Sequence, residues 1–189
     1  EEEDLLRTGT GAMYENRKRS GMSTPPVTGE SSLKYFLQRL AAAADAPYEQ
    51  HILLVHNVCL EQEDIEAAKE KMKNVFWAIC PLSNIFIHNS LPPVRLMREN
   101  GLDICLGTDS LSSNDDLDMM AELVCLHENF PEVPMVELFR WASLNGARFL
   151  GKESVLGSIA PGKKPGLVIV RGFDENGCIN GMSRSERLV

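Results

Sequence analysis

Leu106-Gly107-Thr108-Asp109-Ser110, with Ser113-Asn114 close behind, is the stretch that decides how this chain is read. The largely apolar run Asp103-Ile104-Cys105-Leu106 ends in a glycine, presents one carboxylate, and at once meets residues that start helices. Parallel α/β architectures keep their chemistry at the carboxyl ends of strands, which is where this pattern puts Asp109. The same placement recurs twice upstream. Leu53-Leu54-Val55 ends in His56, and Ala78-Ile79-Cys80 runs into Pro81-Leu82-Ser83-Asn84. Three successive strands therefore end in an imidazole, an amide and a carboxylate.

Working outward, the spacing predicts an alternation of strands and helices. Ile52–Val55 reads as a short buried strand and Asp64–Lys73 as a helix with Ile65, Ala68 and Met72 inward. Val75–Ile79 is strand, Pro93–Asn100 helix stopped by Gly101, and Ile104–Leu106 strand. A helix is expected from Asp115 to about Asn129, capped by Ser113 or Asn114, with Leu117, Met120 and Val124 on one face. Pro131 interrupts, and Met135–Leu144 and Gly146–Phe149 read as further helices. Strands alternating with helices at this spacing mean βαβ units and a parallel sheet. Only three such units are present, whereas a closed eight-stranded barrel needs about 250 residues. The fold class expected is α/β: a partial TIM-like (β/α) barrel comprising its last three βα units, over residues 32–155.

Two flanking segments differ in texture. Residues 1–31 carry Gly9, Gly11, Gly21, Gly29 and Pro25-Pro26 with little apolar periodicity, and are expected to form a long irregular loop. A helix follows, with Leu33, Tyr35, Phe36, Leu37, Leu40 and Ala44 at helical spacing and Ser31 or Ser32 as its cap. After Gly151, turn-rich sequence leads to the strand Leu167–Val170 and the hairpin-type turn Asp174-Glu175-Asn176-Gly177. Residues 156–189 are accordingly expected to be a small β appendage.

Bulk properties narrow the function. The 189 residues carry a net charge of −8, so the basic face that nucleic acid requires is missing. No apolar run approaches the roughly 18 residues of a membrane span, and no signal peptide is seen. The five cysteines are scattered without a CxxC pair, which fits a reducing, cytoplasmic compartment and argues against a cysteine metal site. The chain begins with Glu rather than Met, which suggests a segment of something longer.

A carboxylate and an imidazole on neighbouring parallel strands, about 4.8 Å apart, can reach one ligand. Such a pair suits a divalent metal bearing a water, whose pKa the cation lowers to near neutrality. Asp109 would bind the ion and take a proton; His56 would orient the nucleophile or stabilise developing charge. Each residue also has a plainer reading. Asp109 could cap a turn, His56 could be a satisfied strand-end histidine, and Asn84 and Asn114 could cap backbone. His51, His88 and His127 are read as structural or loop residues.

Taken in order from Leu53 to Val170, these motifs resemble the amidohydrolase superfamily, in its cytosine deaminase, guanine deaminase and chlorohydrolase-like branch. The resemblance rests on apolar-His56-x-x-x-Leu60, Cys80-Pro81-x-Ser83-Asn84, Pro92-Pro93-Val94, Leu106-Gly107-Thr108-Asp109-Ser110 with Ser113-Asn114, Ala142 to Gly151, and Gly157 to Lys163 running into Leu167–Val170. It implies a distorted TIM-like barrel with a β-sandwich, residues 156–189 being a remnant of that sandwich. It implies that Asp109 is the metal-ligating, proton-shuttling aspartate of the eighth strand and that His56 is the sixth-strand histidine at the substrate. Ser83 and Asn84 then border the pocket, and Ser110, Ser113 and Asn114 are read with them as substrate-contacting. The cofactor implied is a divalent metal, zinc first and iron second, acting on a purine-like or other N-heterocycle. A homo-oligomeric state is left open.

This sequence also departs from the family pattern. The first-strand His-x-His pair and the fifth-strand histidine are absent, and Pro165-Gly166-Leu167 stands where Ala-Asp-Leu is usual. The chain is therefore expected to be the C-terminal portion of such a hydrolase, too poor in ligands to retain metal alone. The competing expectation is an inactive truncated domain acting as a binding module. A flavodoxin-like phosphoacceptor is disfavoured, because no strand begins near the N-terminus and the acidic cluster is missing.

Overall fold

The site-bearing strands owe their direction to hydrogen bonds near both ends. In the computed structural model, which describes residues 1–43 and 47–188, strands β1 (Tyr48–Val55), β2 (Met72–Ile79) and β3 (Asp103–Leu106) lie in the order β1-β2-β3. Asn74 Nδ2 donates to Glu49 O (2.5 Å) and His56 N to Ala78 O (2.9 Å), so β1 and β2 run the same way. β2 and β3 are parallel, with Phe76 opposite Asp103 and Ile79 opposite Leu106. This register packs Phe76, Ala78 and Cys105 with Leu53 and Phe149 on one face. Alternation sends Trp77, Ile79 and Ile104, all buried, to the other. Burial on both faces is why the last residues of β2 and the middle of β3 read as apolar runs, whereas β1, expected to be buried over Ile52–Val55, is only half-buried there and exposed at Val55.

The described residues form two compact units, Glu1–Gln50 with Cys59–Asn74, and His51–Val58 with Val75 onward. The first unit is mainly helical: α1 (Glu2–Arg7), α2 (Gly11–Arg19), α3 (Ser32–Ala43) and α4 (Gln62–Lys71). Leu5, Leu6, Leu37, Ile65, Ala68 and Met72 are buried in it. Ser31 Oγ accepts from Lys34 N (3.1 Å), capping α3, and donates to the buried Asp64 carboxylate. Asp64 in turn accepts from Glu61 N (3.1 Å), closing a capping box on α4. Ala44, expected at the end of α3, lies outside the described residues.

The irregular loop expected over 1–31 is corrected here, since α1 and α2 occupy much of it. A six-residue helix is too short to show periodicity. Its acidic first turn, its terminal arginine and the buried Leu5-Leu6 pair suffice to hold it.

In the second unit, β2 is followed by α5 (Pro81–His88) and α6 (Val94–Glu99), and β3 by α7 (Met119–Asn129), α8 (Met135–Trp141) and α9 (Leu144–Phe149). Helices α8 and α9 pack on β3, and α7 packs between α5 and α8. Here α5 replaces the expected 81–84 turn: Pro81 stands at its first turn, where a missing N–H costs nothing. The α7 helix begins at Met119 rather than Asp115. Asp118 accepts from Met120 N (2.8 Å) and is the cap, while Leu117, expected in the core, is 52% exposed. Replacing Asp118 by alanine is expected to cost about 1 kcal/mol. Urea unfolding checks this, and an unchanged midpoint would return the cap to Ser113 or Asn114.

Strands β4 (Val168–Arg171) and β5 (Arg184–Arg187) pair antiparallel. Asp174 Oδ1 accepts from Asn176 N (2.9 Å) and Cys178 N (2.8 Å), closing a turn at the expected residues. That turn lies within the longer connection between the strands rather than joining them directly.

Candidate active site

His56, Asp109, Ser83, Asn84 and Ser113 meet at the carboxyl ends of β1, β2 and β3. His56 and Asn57 leave β1 with φ of 71° and 58°, and Asp109 follows β3 with φ of 58°. Positive φ is uncommon for residues other than glycine, and clustering of such backbone is a mark of functional sites. The turn at His56 is held by Ala78 O, which accepts from His56 N (2.9 Å) and from Asn57 Nδ2 (3.1 Å). Beyond β3, Gly107 N donates to Ile79 O (3.0 Å) and prolongs the ladder to the residue pair before Asp109.

The His56 imidazole and Asp109 carboxylate, each about one-third exposed, approach with Nε2 3.8 Å from Oδ2. Buried Ser83 and Ser113 both donate to Asp109 Oδ2 at 2.8 Å, and their hydroxyls are 3.0 Å apart. Donation by Ser113, then by Ser83 and by the Ser110 backbone, with the His56 imidazole adding to it, holds the Asp109 carboxyl below the usual aspartate range. The depressed value means that Asp109 adds stability above its unfolded-state pKa and forfeits it as pH falls through the folded one.

Asn84 is fully buried on the first turn of α5. Its Oδ1 accepts from Cys80 N (3.2 Å) and its Nδ2 lies 3.0 Å from His56 Nδ1. Backbone capping, the plainer expectation for Asn84, is thus present together with a contact to the imidazole. Asn114 caps no helix: its Nδ2 donates to Thr108 O (2.8 Å) and to Glu122 Oε1 (2.7 Å), fastening the loop that carries Asp109. The Ser110 hydroxyl is exposed and engages Ser112 Oγ (2.5 Å), so its side chain stands outside the network.

Sequence reasoning missed Glu122 and Cys80. Glu122 is fully buried on α7, and its Oε2 accepts from Leu82 N (2.9 Å) in the first turn of α5. Burial pushes its carboxyl pKa up. The available signal was helical spacing, since Glu122 falls one turn before Cys125 and Leu126 on the inward stripe. The Cys80 thiol is pushed up to about 11 by burial and by the Asp109 charge, which makes it an inert neighbour rather than a nucleophile.

Asp109, held anionic by hydroxyl donors, has the chemistry of one ligand to a divalent cation. Zinc takes three or more protein donors, and no group of three His, Cys, Asp or Glu suited to hold a metal occurs among the described residues. The donor set of the described residues alone does not make a metal centre.

Parallel strands ending in a facing imidazole and carboxylate define an α/β scaffold with its polar groups gathered at one rim. The Amidohydrolase family model matches residues 19–188, and the chain belongs to that family. It is 37% identical over 126 residues to a 5-methylthioadenosine/S-adenosylhomocysteine deaminase of Moorella thermoacetica, a match covering 63% of this chain and 29% of that enzyme. Among solved structures, Helicobacter pylori aminofutalosine deaminase in complex with methylthio-coformycin superposes with a TM-score of 0.71 at 25% identity, over 93% of this chain and 41% of that one. An adenosine deaminase from Xanthomonas campestris with bound zinc superposes at 0.60 with 27% identity, over 82% and 34% of the two chains. The chain thus spans about three-tenths of the length of the curated relatives it matches. No helix among the described residues is long and apolar enough to cross a membrane.

Proposed function

We propose that this chain carries part of the active site of a metal-dependent deaminase acting on the adenine-type ring of a nucleoside. The observation that carries this reading is the approach of His56 Nε2 to Asp109 Oδ2, 3.8 Å, from the ends of β1 and β3, which are not the neighbouring strands expected but flank β2. Two of the matched relatives, a 5-methylthioadenosine/S-adenosylhomocysteine deaminase and an adenosine deaminase by name, suggest the substrate class. Strands β1 to β3 would be consecutive staves of a (β/α) barrel, and β4-β5 part of an accompanying β-sandwich. The remaining metal ligands would come from a part of the barrel outside these residues. The five cysteines, all free, fit a reducing compartment such as the cytoplasm.

A divalent cation, zinc foremost and iron second, supplies in such a site a water acidified to near neutrality. Asp109 would be the carboxylate ligand that these residues offer to such a cation, and would take up the proton that the attacking water loses. His56 would orient the nucleophile through Nε2–H, or steady charge as it develops on the substrate ring. Ser83 and Ser113 keep Asp109 anionic and fixed in rotamer. Addition of water at the amino-bearing ring carbon would deliver one of its protons through Asp109 to the departing amine and leave the other on the ring nitrogen, so that ammonia departs and a carbonyl replaces the amine.

Elemental analysis and ammonia-release assays on the intact gene product test this. Bound divalent metal and turnover of 5′-methylthioadenosine or 5′-deoxyadenosine, abolished by chelation and restored by zinc or iron, are expected. Metal-loaded protein that deaminates no aminopurine nucleoside would overturn the proposal. These 189 residues alone, offering one ligand, are expected to hold metal weakly.

A further inference from the structure

We propose that Asn84 is a positioning residue that fixes the tautomer of His56, so that its proton sits on Nε2 and faces Asp109. The inference rests on the deaminase reading for its consequence in catalysis, but its physical content stands apart from it.

The argument starts from Cys80 N–H, which can only donate. The Asn84 amide atom 3.2 Å from it must therefore be the oxygen. That orientation leaves the amide NH2 facing His56 Nδ1 at 3.0 Å. An NH2 group is a donor only, so Nδ1 must be the accepting, unprotonated nitrogen. A neutral imidazole then carries its single proton on Nε2, the nitrogen 3.8 Å from Asp109 Oδ2. Asn84 is fully buried and sits on a helical turn beginning with Pro81, so the amide has no room to turn over without stranding the Cys80 N–H. A backbone donor between β2 and α5 thus dictates, through one amide, which imidazole nitrogen works in the site. In this tautomer His56 donates a hydrogen bond from Nε2 and offers no lone pair there to a cation.

The test is the 15N spectrum of the imidazoles in the intact gene product, recorded in alkaline buffer, with His56 assigned by loss of its signals in His56→Gln. A protonated-type nitrogen at Nε2 and an unprotonated-type nitrogen at Nδ1 are expected. In Asn84→Asp, which keeps an oxygen for Cys80 N–H but presents an acceptor to the ring, the pattern should invert. The kcat for ammonia release should fall by about 10²-fold, the loss of one oriented donor at the reacting atoms, with little change in KM or metal content. A proton on Nδ1 in the unsubstituted protein, or the same tautomer in both proteins, would overturn the inference even if deamination is fully confirmed. Inversion in a protein that deaminates nothing would uphold the tautomer control and defeat the deaminase reading instead. The spectrum of the unsubstituted protein decides the matter if the variant does not fold.

Discussion

Asn in place of Asp109 is expected to lower kcat/KM for ammonia release by about 10³-fold or more, because the substitution removes a charge-bearing ligand and a proton acceptor together. It should do so with little disturbance of the fold. Asp109 has φ of 58°, and asparagine is among the few residues that accept left-handed backbone readily. The side chain keeps its shape and one oxygen, and both serine hydroxyls, 2.8 Å from the same Oδ2, still find an acceptor when the amide oxygen takes that place. Ser83 and Ser113 can also bond to each other across 3.0 Å. What disappears is the anion that these hydroxyls stabilise, and with it the ability to bind a cation or hold a proton. Steady-state ammonia release, metal content and near-ultraviolet circular dichroism measured on the same preparation separate chemistry from folding. A variant within tenfold of the unsubstituted protein, with metal still bound, would remove Asp109 from the mechanism.

The strand ends were legible in the sequence for a physical reason. The last three residues of β1 and of β3, Leu53-Leu54-Val55 and Ile104-Cys105-Leu106, are apolar, so the imidazole of His56 and the carboxylate of Asp109 stand out just beyond them. What the side chains do there depends on contacts between distant segments and left no local trace. The left-handed backbone at His56 and Asp109 is one example, since neither residue is glycine and nothing nearby forces the turn. Pro81 reads locally as a breaker, yet at the first turn of a helix it is favoured, and α5 with Ser83 and Asn84 follows from it. The start of α7 was ambiguous because Asp115, Asp116 and Asp118 all suit a helix N-terminus. The tie of Asn114 to Thr108 O keeps residue 114 in the loop and leaves the cap to Asp118. Glu122 went unread because a charged residue is taken as solvent-exposed unless a partner is known.

That buried carboxylate carries the second large effect. Glu122 is the joint between three segments: Oε2 takes Leu82 N–H from the first turn of α5, and Oε1 takes the amide of Asn114, which in turn holds Thr108 O beside Asp109. Leucine fills similar volume but accepts nothing, leaving Leu82 N–H without its partner and Asn114 with only Thr108 O. Two donors disturbed in a dry site should cost about 2–4 kcal/mol in urea unfolding, and glutamine, which retains one acceptor, about half of that. The pH dependence has a definite sign. Burial raises the Glu122 pKa, so its folded form holds a proton more tightly than the unfolded chain does. That contribution is complete below the unfolded value of about 4.5 and is lost as pH rises through the raised folded value. The deficit of Glu122→Gln relative to the unsubstituted protein should therefore be largest near the acid end and narrow toward neutrality. A Leu variant as stable as the unsubstituted protein, or a Gln deficit that widens with pH, would show that Glu122 is not the acceptor that joins α5 to the Asp109 loop.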